Sequence, residues 1–360
     1  MKAIQYSRFG GPDVLEIVEI AAPSPGPDEV LIRVGAVGVN FFEVMMRQDR
    51  YAVTPPLPFI PGVEIAGTIT ALGDGVASHS VGDRVAAALY VAGVQGGGYA
   101  EQVAIRADAV VRLPDETSFA GATALQVQGL TALHLLRSHP AAGKNVLISA
   151  AAGGVGSLLV QLARRGGARR VIAMASSAEK LALAQELGAD AGVDYTQPDW
   201  PAQVCALTEG AGPDLIFEAS GGDIPAQCLT LLAPFGRLVL YGPLSLADFR
   251  PDAEALKTLI FGNRTIAGFS LLPHLAPERL ASELGELFKL AIPGEQAAAG
   301  CQLSAGAGER SPCGAGKPAN RRQAGAAAVT GLSWRGRWRT GRPCGSARDS
   351  RAPRPRPKLG

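Results

Sequence analysis

Asn145-Val-Leu-Ile-Ser-Ala-Ala-Ala-Gly-Gly-Val-Gly156, running on into Ser157-Leu-Leu-Val-Gln-Leu-Ala-Arg-Arg165, is the stretch that decides the fold. Asn145 to Ser149 is a short apolar run of strand length. The turn that follows has no bulky side chain, and Leu158, Leu159 and Leu162 recur at helical spacing. Strand, glycine turn and helix in this order form the first half of a βαβ dinucleotide site. Gly153 lets the backbone approach a pyrophosphate, Gly156 lets the helix pack closely on its strand, and the helix N-terminus offers N–H groups and positive dipole to phosphates. Ala152, Gly153, Gly154, Val155 and Gly156 are therefore the expected cofactor contacts, with Ala151 where the strict fingerprint has its first glycine.

A second strand, Arg170-Val-Ile-Ala-Met174, ends where NAD-binding proteins place an acidic residue on the ribose hydroxyls. Here that place holds Ala175, followed by Ser176, Ser177 and, one helical turn on, Lys180. Hydroxyls and an ammonium suit a 2′-phosphate, so the pattern favours NADPH over NADH. A local explanation stays open beside it, in which a serine caps the next helix and Lys180 is a solvated side chain. Tyr195, at the end of the next short strand, can lie against the adenosine end or simply pack.

Outward from this centre the alternation of strand and helix continues. Leu215 to Glu218 and Gly236 to Tyr241 are strands, Trp200 to Thr208 and Pro225 to Leu232 are helices, and the pattern predicts a mostly parallel sheet covered on both faces. Its strand ends carry Ser220 and Gly242, and a further strand runs from Thr265 to Phe269. Ligands of such sheets bind at the carboxyl ends, so these three residues join the expected cofactor contacts. Residues 2 to about 112 read as many short strands broken by Pro23-Ser-Pro-Gly-Pro27, Pro55-Pro-Leu-Pro58 and Gly96-Gly-Gly98, which suggests a compact barrel. Helices are expected from Ser118, through Gly129 to Leu136, over Ala253 to Phe261 and over Glu278 to Leu290.

Composition sets the bounds. The 360 residues suffice for two domains, and the formal net charge of +2 conceals a basic tail. From residue 294 onward there are 13 Lys and Arg against 3 Asp and Glu, while the preceding residues hold 21 against 29. The start has no apolar leader pattern and no long apolar span follows, so a cytoplasmic, non-membrane protein is expected. Cys205 and Cys228 fall in predicted helices, whereas Cys301, Cys313 and Cys344 lie in the tail. No disulfide framework or zinc cluster is suggested.

With these motifs in place, the chain resembles the quinone oxidoreductase (zeta-crystallin-like) branch of the medium-chain dehydrogenase/reductase superfamily. The resemblance covers residues 1 to about 292. It rests on Gly38-Val-Asn-Phe-Phe-Glu43, Pro58-Phe-Ile-Pro-Gly-Val-Glu-Ile-Ala-Gly67, Val81-Gly-Asp-Arg-Val85, Gly129-Leu-Thr-Ala132, the glycine turn and Gly236-Arg-Leu-Val-Leu-Tyr-Gly242. It implies a GroES-like β domain over residues 1–122, a doubly wound NADPH domain over 123–262 and a partial return to the first domain over 263–293. It further implies a homodimer. Zinc-dependent relatives carry a cysteine and a histidine where this chain has Asn40 and Val63, so the resemblance implies chemistry without zinc. The implied activity is NADPH-dependent reduction of a quinone or of an α,β-unsaturated carbonyl, with enoyl-thioester reduction as a second enzyme reading. It places Asn40, Tyr51 and Thr131 near the nicotinamide. Asn40 either hydrogen-bonds a carbonyl of the acceptor or is a turn residue after a strand, Tyr51 either gives a proton to an enolate or is a surface aromatic beside a proline loop, and Thr131 lines the site or only caps or packs. Glu43 replaces the usual aspartate, and His134, one turn beyond Thr131, is expected to pack.

The resemblance stops near Ala291. The family continues with a helix and a final strand that returns to the front domain, whereas residues 294–360 are rich in Gly, Ala, Pro, Arg and Ser without a sustained apolar period. Such a tail is expected to be disordered and has the composition of an out-of-frame translation of a GC-rich gene. Its rival is a basic extension for nucleic acid, which would make the chain an RNA-binding relative, and a non-catalytic NADPH-binding pseudo-enzyme is the third alternative.

Overall fold

In a computed structural model, residues 1–242, 244, 249–291 and 327–330 are described. Two sheets organise them. In the first, β3 (Glu29–Val39), β4 (Glu64–Leu72), β5 (Arg84–Ala88) and β7 (Val110–Arg112) follow one another antiparallel, and β6 (Gln102–Arg106) lies on the other edge of β3. Alternate residues of these strands point inward, so Val30, Ile32, Ile65, Ile69, Val85, Val103 and Ile105 close one barrel core. β1 (Lys2–Gln5) and β2 (Glu16–Glu19) form a separate antiparallel pair. α1 (Phe41–Arg47) leaves the end of β3, and α2 (Phe119–Ala124), capped by the Ser118 hydroxyl on the Gly121 N–H, packs on β3 and β4. The expected domain boundary at residues 122 and 123 thus falls inside a helix that sits on the first sheet.

The second sheet has the order β10 (Ala191–Asp194), β9 (Arg170–Ala175), β8 (Asn145–Ile148), β11 (Leu215–Glu218), β12 (Arg237–Leu240), β13 (Thr265–Gly268), all parallel. Its strands are continuous apolar runs because both faces are covered. In β8, Val146 and Ile148 enter the core shared with α3 (Val127–Ser138) and α4 (Gly154–Arg165), while Leu147 enters the core on the opposite face. That opposite face is covered by α6 (Trp200–Leu207) and α7 (Ile224–Leu231), with Trp200, Val204, Cys228 and Leu229 buried there. α5 (Ala178–Glu186) packs on β9 and β10. Residues 265–268, expected in the return to the first domain, instead supply the sixth strand of this sheet through parallel pairing with β12.

After α8 (Ala253–Gly262) and β13, the chain crosses back by α9 (Pro277–Ala291), which touches α3 and β7 and so ties the two domains. Leu280, Leu284, Leu287 and Phe288 line its buried stripe. Beside them the buried Glu283 accepts from Arg137 at 2.7 Å and faces His134 Nε2 at 3.0 Å. His134 is packed as expected, and burial pushes its pKa below the usual range against the opposing pull of Glu283.

The tail contributes one element that its composition does not announce. β14 (Ala327–Thr330) pairs antiparallel with Ala36–Val39 of β3, along the edge left open where the β6 pairing ends at Arg33. A strand of four residues from the tail therefore returns to the front sheet. The remainder of the tail, with Cys301, Cys313 and Cys344, lies outside the described residues. Among the described residues no helix is long and apolar enough to cross a membrane.

Replacing Glu283 by alanine leaves Arg137 and His134 without their shared carboxylate at the α3–α9 contact. Urea unfolding of Glu283→Ala is expected to show a loss of about 3 kcal/mol.

Candidate active site

Chain order in the second sheet reverses between β8 and β11, because β9 and β10 go to one side of β8 and β11 to β13 to the other. A crevice opens at the carboxyl ends of strands flanking such a reversal. The glycine turn lies at the end of β8, with Gly153 as the N-cap of α4. Gly156 does what its position predicts, since a Cβ there would overlap the carbonyl oxygen of Ala150 and the helix could not approach the strand. Ala150 itself takes φ 48°, a left-handed conformation that turns the chain out of β8, and the buried Ala151 donates its N–H to Met174 O at 3.0 Å. Ala152 to Val155 then place the first N–H groups of α4 just past the carboxyl end of β8.

The other expected contacts gather along the same rim. Past β9, Lys180 Nζ donates to Ser176 Oγ at 3.0 Å, while the Ser177 hydroxyl accepts the Lys180 N–H at 3.4 Å and caps α5. Capping thus falls to Ser177, and Ser176 with Lys180 forms a hydroxyl and ammonium pair. Tyr195 donates its backbone N–H to Ala175 O, which sets it beside that pair. Past β11, the buried Glu218 carboxylate accepts the N–H groups of Ser220 and Gly221, and Ser149 Oγ accepts the N–H of Ala219 at 2.8 Å. This local bonding fixes the strand end and leaves Ser220 Oγ buried with no hydrogen-bond partner among the described residues. Gly242 passes so close to Ala219 that a Cβ would stand 2.6 Å from its Cα. Phe269, past β13, stacks on His274 with 5.0 Å between ring centroids.

Across the crevice the first domain contributes a buried polar network that the sequence pattern did not reveal. Asn40 stands at the start of α1 and is 3% exposed. Its Nδ2 donates to Glu64 Oε1 at 2.8 Å and to Glu43 Oε2 at 3.3 Å, and its backbone N–H donates to the same Glu43 oxygen at 2.8 Å. Glu43 Oε1 accepts the Gly62 N–H, and Glu64 Oε2 accepts the N–H of Val127 in the first turn of α3, both at 2.8 Å. Gln126 Nε2 donates to Ile65 O at 2.9 Å, and Gln128 Nε2 donates to Asn40 Oδ1 at 3.4 Å. The network therefore joins β4, α1 and α3 across the domain junction. Gln128 Oε1 has no hydrogen-bond partner among the described residues and lies against Gly154, where a Cβ would overlap it.

This arrangement corrects the expected role of Asn40. Both hydrogens of its amide are committed to carboxylates, so Asn40 presents no donor to an acceptor's carbonyl. Thr131 is likewise committed, its hydroxyl donating to Val127 O at 2.5 Å one turn back in α3. Tyr51 lies partly buried with its ring 5.5 Å from that of Phe42, and burial raises its pKa. No hydrogen bond among the described residues links it to the network.

Burial raises the Glu43 carboxyl to about 7 against the pull of its N–H donors. Burial, with the Glu43 charge as a further contribution, raises Glu64 to about 8. Two carboxylates with neutral partners cannot both ionise cheaply, so protons stay in the network near neutrality. Among the described residues, no group of three or more His, Cys, Asp or Glu is arranged to hold a metal ion.

Two family patterns match the chain, the alcohol dehydrogenase GroES-like domain over residues 26–115 and the zinc-binding dehydrogenase over residues 154–286. The quinone oxidoreductase of Pseudomonas aeruginosa is 37% identical over 246 residues, 68% of this chain and 74% of that one. The quinone oxidoreductase-like protein 2 homolog of Nematostella vectensis is 38% identical over 245 residues, 67% of this chain and 65% of that one, just short of two thirds of its length. Among solved structures, the Escherichia coli quinone oxidoreductase complexed with NADPH superimposes with a TM-score of 0.72 at 30% identity, covering 81% of this chain and 87% of that one.

Two measurements follow from this geometry. Gly156→Ala is expected to lower unfolding stability by about 2 kcal/mol or more, while Gly285→Ala, where a Cβ meets nothing within 4 Å in α9, raises it by about 0.5–1 kcal/mol; urea titration of both variants checks the contrast. The second concerns pH. Because Glu43 and Glu64 keep protons in the folded state that the unfolded chain has released, their contribution to stability is fully present below the usual carboxyl value of 4.5 and is lost as pH rises through about 7 and 8. Glu64→Gln is expected to flatten the fall in urea midpoint between pH 5 and pH 8.

Proposed function

The chain belongs to the quinone oxidoreductase branch of the medium-chain dehydrogenase/reductase superfamily, and from that premise we propose that it is an NADPH-dependent reductase. Its acceptor is a quinone or an activated α,β-unsaturated carbonyl, and its chemistry uses no zinc. The observation that carries this is the reversal of strand order at β8 and β11, with the glycine turn past the end of β8 and the Ser176–Lys180 pair past the end of the neighbouring β9.

The residues present fit the cofactor. The first N–H groups of α4 and its positive end suit a pyrophosphate, and the small turn residues allow its approach. Lys180 and Ser176 suit a 2′-phosphate, and the buried Ala175 at the end of β9 brings no carboxylate to oppose one. Among the described residues Ser220 Oγ and Gln128 Oε1 are buried without hydrogen-bond partners. Zinc does not fit. Val63 offers no donor atom, and the Asn40 amide nitrogen is bound to Glu43 and Glu64.

When bound, NADPH supplies a hydride, and an acceptor that delocalises the added charge needs no Lewis acid. The protein's part is to hold the two reactants together and to limit water in the crevice. Tyr51 is the proton donor in this reading. Its phenol, raised by burial, is fully protonated at neutral pH and can neutralise the oxyanion left after hydride addition. Thr131 packs the α3 end of the site.

A second copy of the chain is part of the proposal. β13 is the terminal strand of its sheet, and the adjoining α8 exposes Leu256, Ile260 and Phe261, the last 83% exposed. An open strand edge beside an apolar helix face suits a symmetric pairing of two cofactor domains.

The test is consumption of NADPH and NADH with an ortho-quinone acceptor, followed by nicotinamide absorbance. NADPH is expected to be preferred. Lys180→Ala should raise KM for NADPH about tenfold and leave KM for NADH nearly unchanged. Turnover with NADH preferred would contradict the assignment of Ser176 and Lys180.

A further inference from the structure

The glycine turn and the Ser176–Lys180 pair occupy the carboxyl end of the second sheet. At its amino end, a cavity of about 350 Å³ lies among the residues that lead into β8, β9, β11 and β12. Lys144, Arg169 and Arg237 stand on its wall against one carboxylate, Asp214, which leaves a net charge of +2 among the described residues that line it. The main chain holds these residues side by side. Arg169 donates its N–H to Lys144 O at 2.9 Å, Asp214 to Asn145 O at 2.9 Å and Arg237 to Asp214 O at 3.0 Å. Asp214 is already engaged, since one of its oxygens accepts the Asn145 N–H at 2.7 Å and lies 3.5 Å from the Arg169 guanidinium. His139 Nδ1 accepts from Arg237 at 3.0 Å, and burial, with the charges of Arg237 and Lys144, holds its pKa below the usual range.

Phe235 completes the wall. In the turn Ala233-Pro-Phe-Gly236 the Gly236 N–H returns to Ala233 O at 2.9 Å, and Phe235, the third residue, takes φ 62°. Glycine or asparagine holds that left-handed conformation with ease, whereas a bulky residue is strained in it. The ring gains little from the core in return, being 78% exposed. Neither the turn nor packing accounts for an aromatic side chain here, beside three cations.

We propose that this cavity binds a small phosphate that carries a planar ring, with the phosphate taken by Arg169, Arg237 and Lys144 and the ring laid against Phe235. A doubly charged phosphate matches the surplus of positive charge, and guanidinium groups suit its oxygens. The volume stands at the lower end of ligand pockets, which hold roughly 300–1,000 Å³, so it suits one ring system with one phosphate and not a dinucleotide. β8 separates Lys144 from the glycine turn, and the sheet therefore lies between this cavity and the cofactor crevice. The site goes beyond the reductase reading and does not depend on it.

Isothermal titration of the full chain with phenyl phosphate, and with inorganic phosphate as the ringless probe, tests this. Wild-type protein is expected to bind phenyl phosphate about three- to tenfold more tightly than inorganic phosphate. Arg237→Ala is expected to weaken both about tenfold, and if near-UV circular dichroism shows it to be misfolded, Arg169→Ala takes its place with the same expectation. Phe235→Gly is expected to abolish the advantage of phenyl phosphate, to leave inorganic phosphate unchanged and to raise the urea midpoint, because glycine adopts this φ without strain. Lys180→Ala, at the other end of the sheet, is expected to leave both dissociation constants unchanged. Three results overturn the proposal: no binding of phenyl phosphate to folded wild-type protein at millimolar concentration, unchanged affinity in a folded arginine variant, or binding lost in Lys180→Ala, which puts the phosphate in the cofactor crevice. Phe235→Gly that keeps its phenyl phosphate affinity and loses stability makes Phe235 a packing residue and overturns the proposal as well.

Discussion

The Asn40 side chain, gripped between two buried carboxylates, is the contact on which the arrangement of the cleft depends. Glu64 lies in β4 and accepts both from Asn40 and from the N–H of Val127, so one side chain joins the barrel, α1 and the start of α3. Gln126 adds a bond to Ile65 O beside it. Removing two carboxyl groups from water is costly, and the N–H donors of Asn40, Gly62 and Val127 offset part of that cost. Protonation offsets more, which is why the pair titrates near neutrality. The result is a junction with defined geometry where an apolar contact would allow sliding. α3 then carries this geometry to α4 and α9, and through α4 to the glycine turn.

Much of the second domain was legible in the sequence because its signals are local. A short apolar run, a turn of small residues and leucines at helical spacing determine β8 and α4, and the overlap that a Cβ at Gly156 would cause shows why the turn ends in glycine. The Ser176–Lys180 pair was legible for the same reason, since both residues belong to one strand–helix turn. The barrel was legible as a class but less so in its bounds. Within the Val81-Gly-Asp-Arg-Val85 motif the strand begins only at Arg84, because Gly82 at φ 95° keeps the chain in a turn.

The rest depended on pairings between distant residues. Nothing local shows that Glu64, Asn40 and Gln128 meet, and the direction of the Asn40 amide follows only from that meeting. A signal was nevertheless present. Glu64 stands between Val63 and Ile65 in an apolar run, and an ionisable residue inside a buried strand needs partners. Gln126 and Gln128 flank Val127 at the mouth of an apolar helix in the same way. β13 was recognised as a strand but its sheet was not, since only the parallel register with β12 places it. β14 was hidden because Ala-Ala-Val-Thr does not stand out in an alanine-rich tail, and it becomes a strand by completing the open edge of β3.

The two sides of the crevice carry different duties. The cofactor rim is built from backbone N–H groups, one ammonium and small residues, which suit an anionic dinucleotide. The opposite side is built from amides and from two carboxyl groups that burial keeps partly protonated near neutrality. A crystal structure of the chain with NADPH tests this account most directly. The account predicts the pyrophosphate on the N–H groups at the start of α4, the 2′-phosphate beside Lys180 and Ser176, and the nicotinamide turned toward the Asn40 side of the crevice. A dinucleotide bound away from the β8–β11 reversal, or one with its nicotinamide at Lys180, would contradict it.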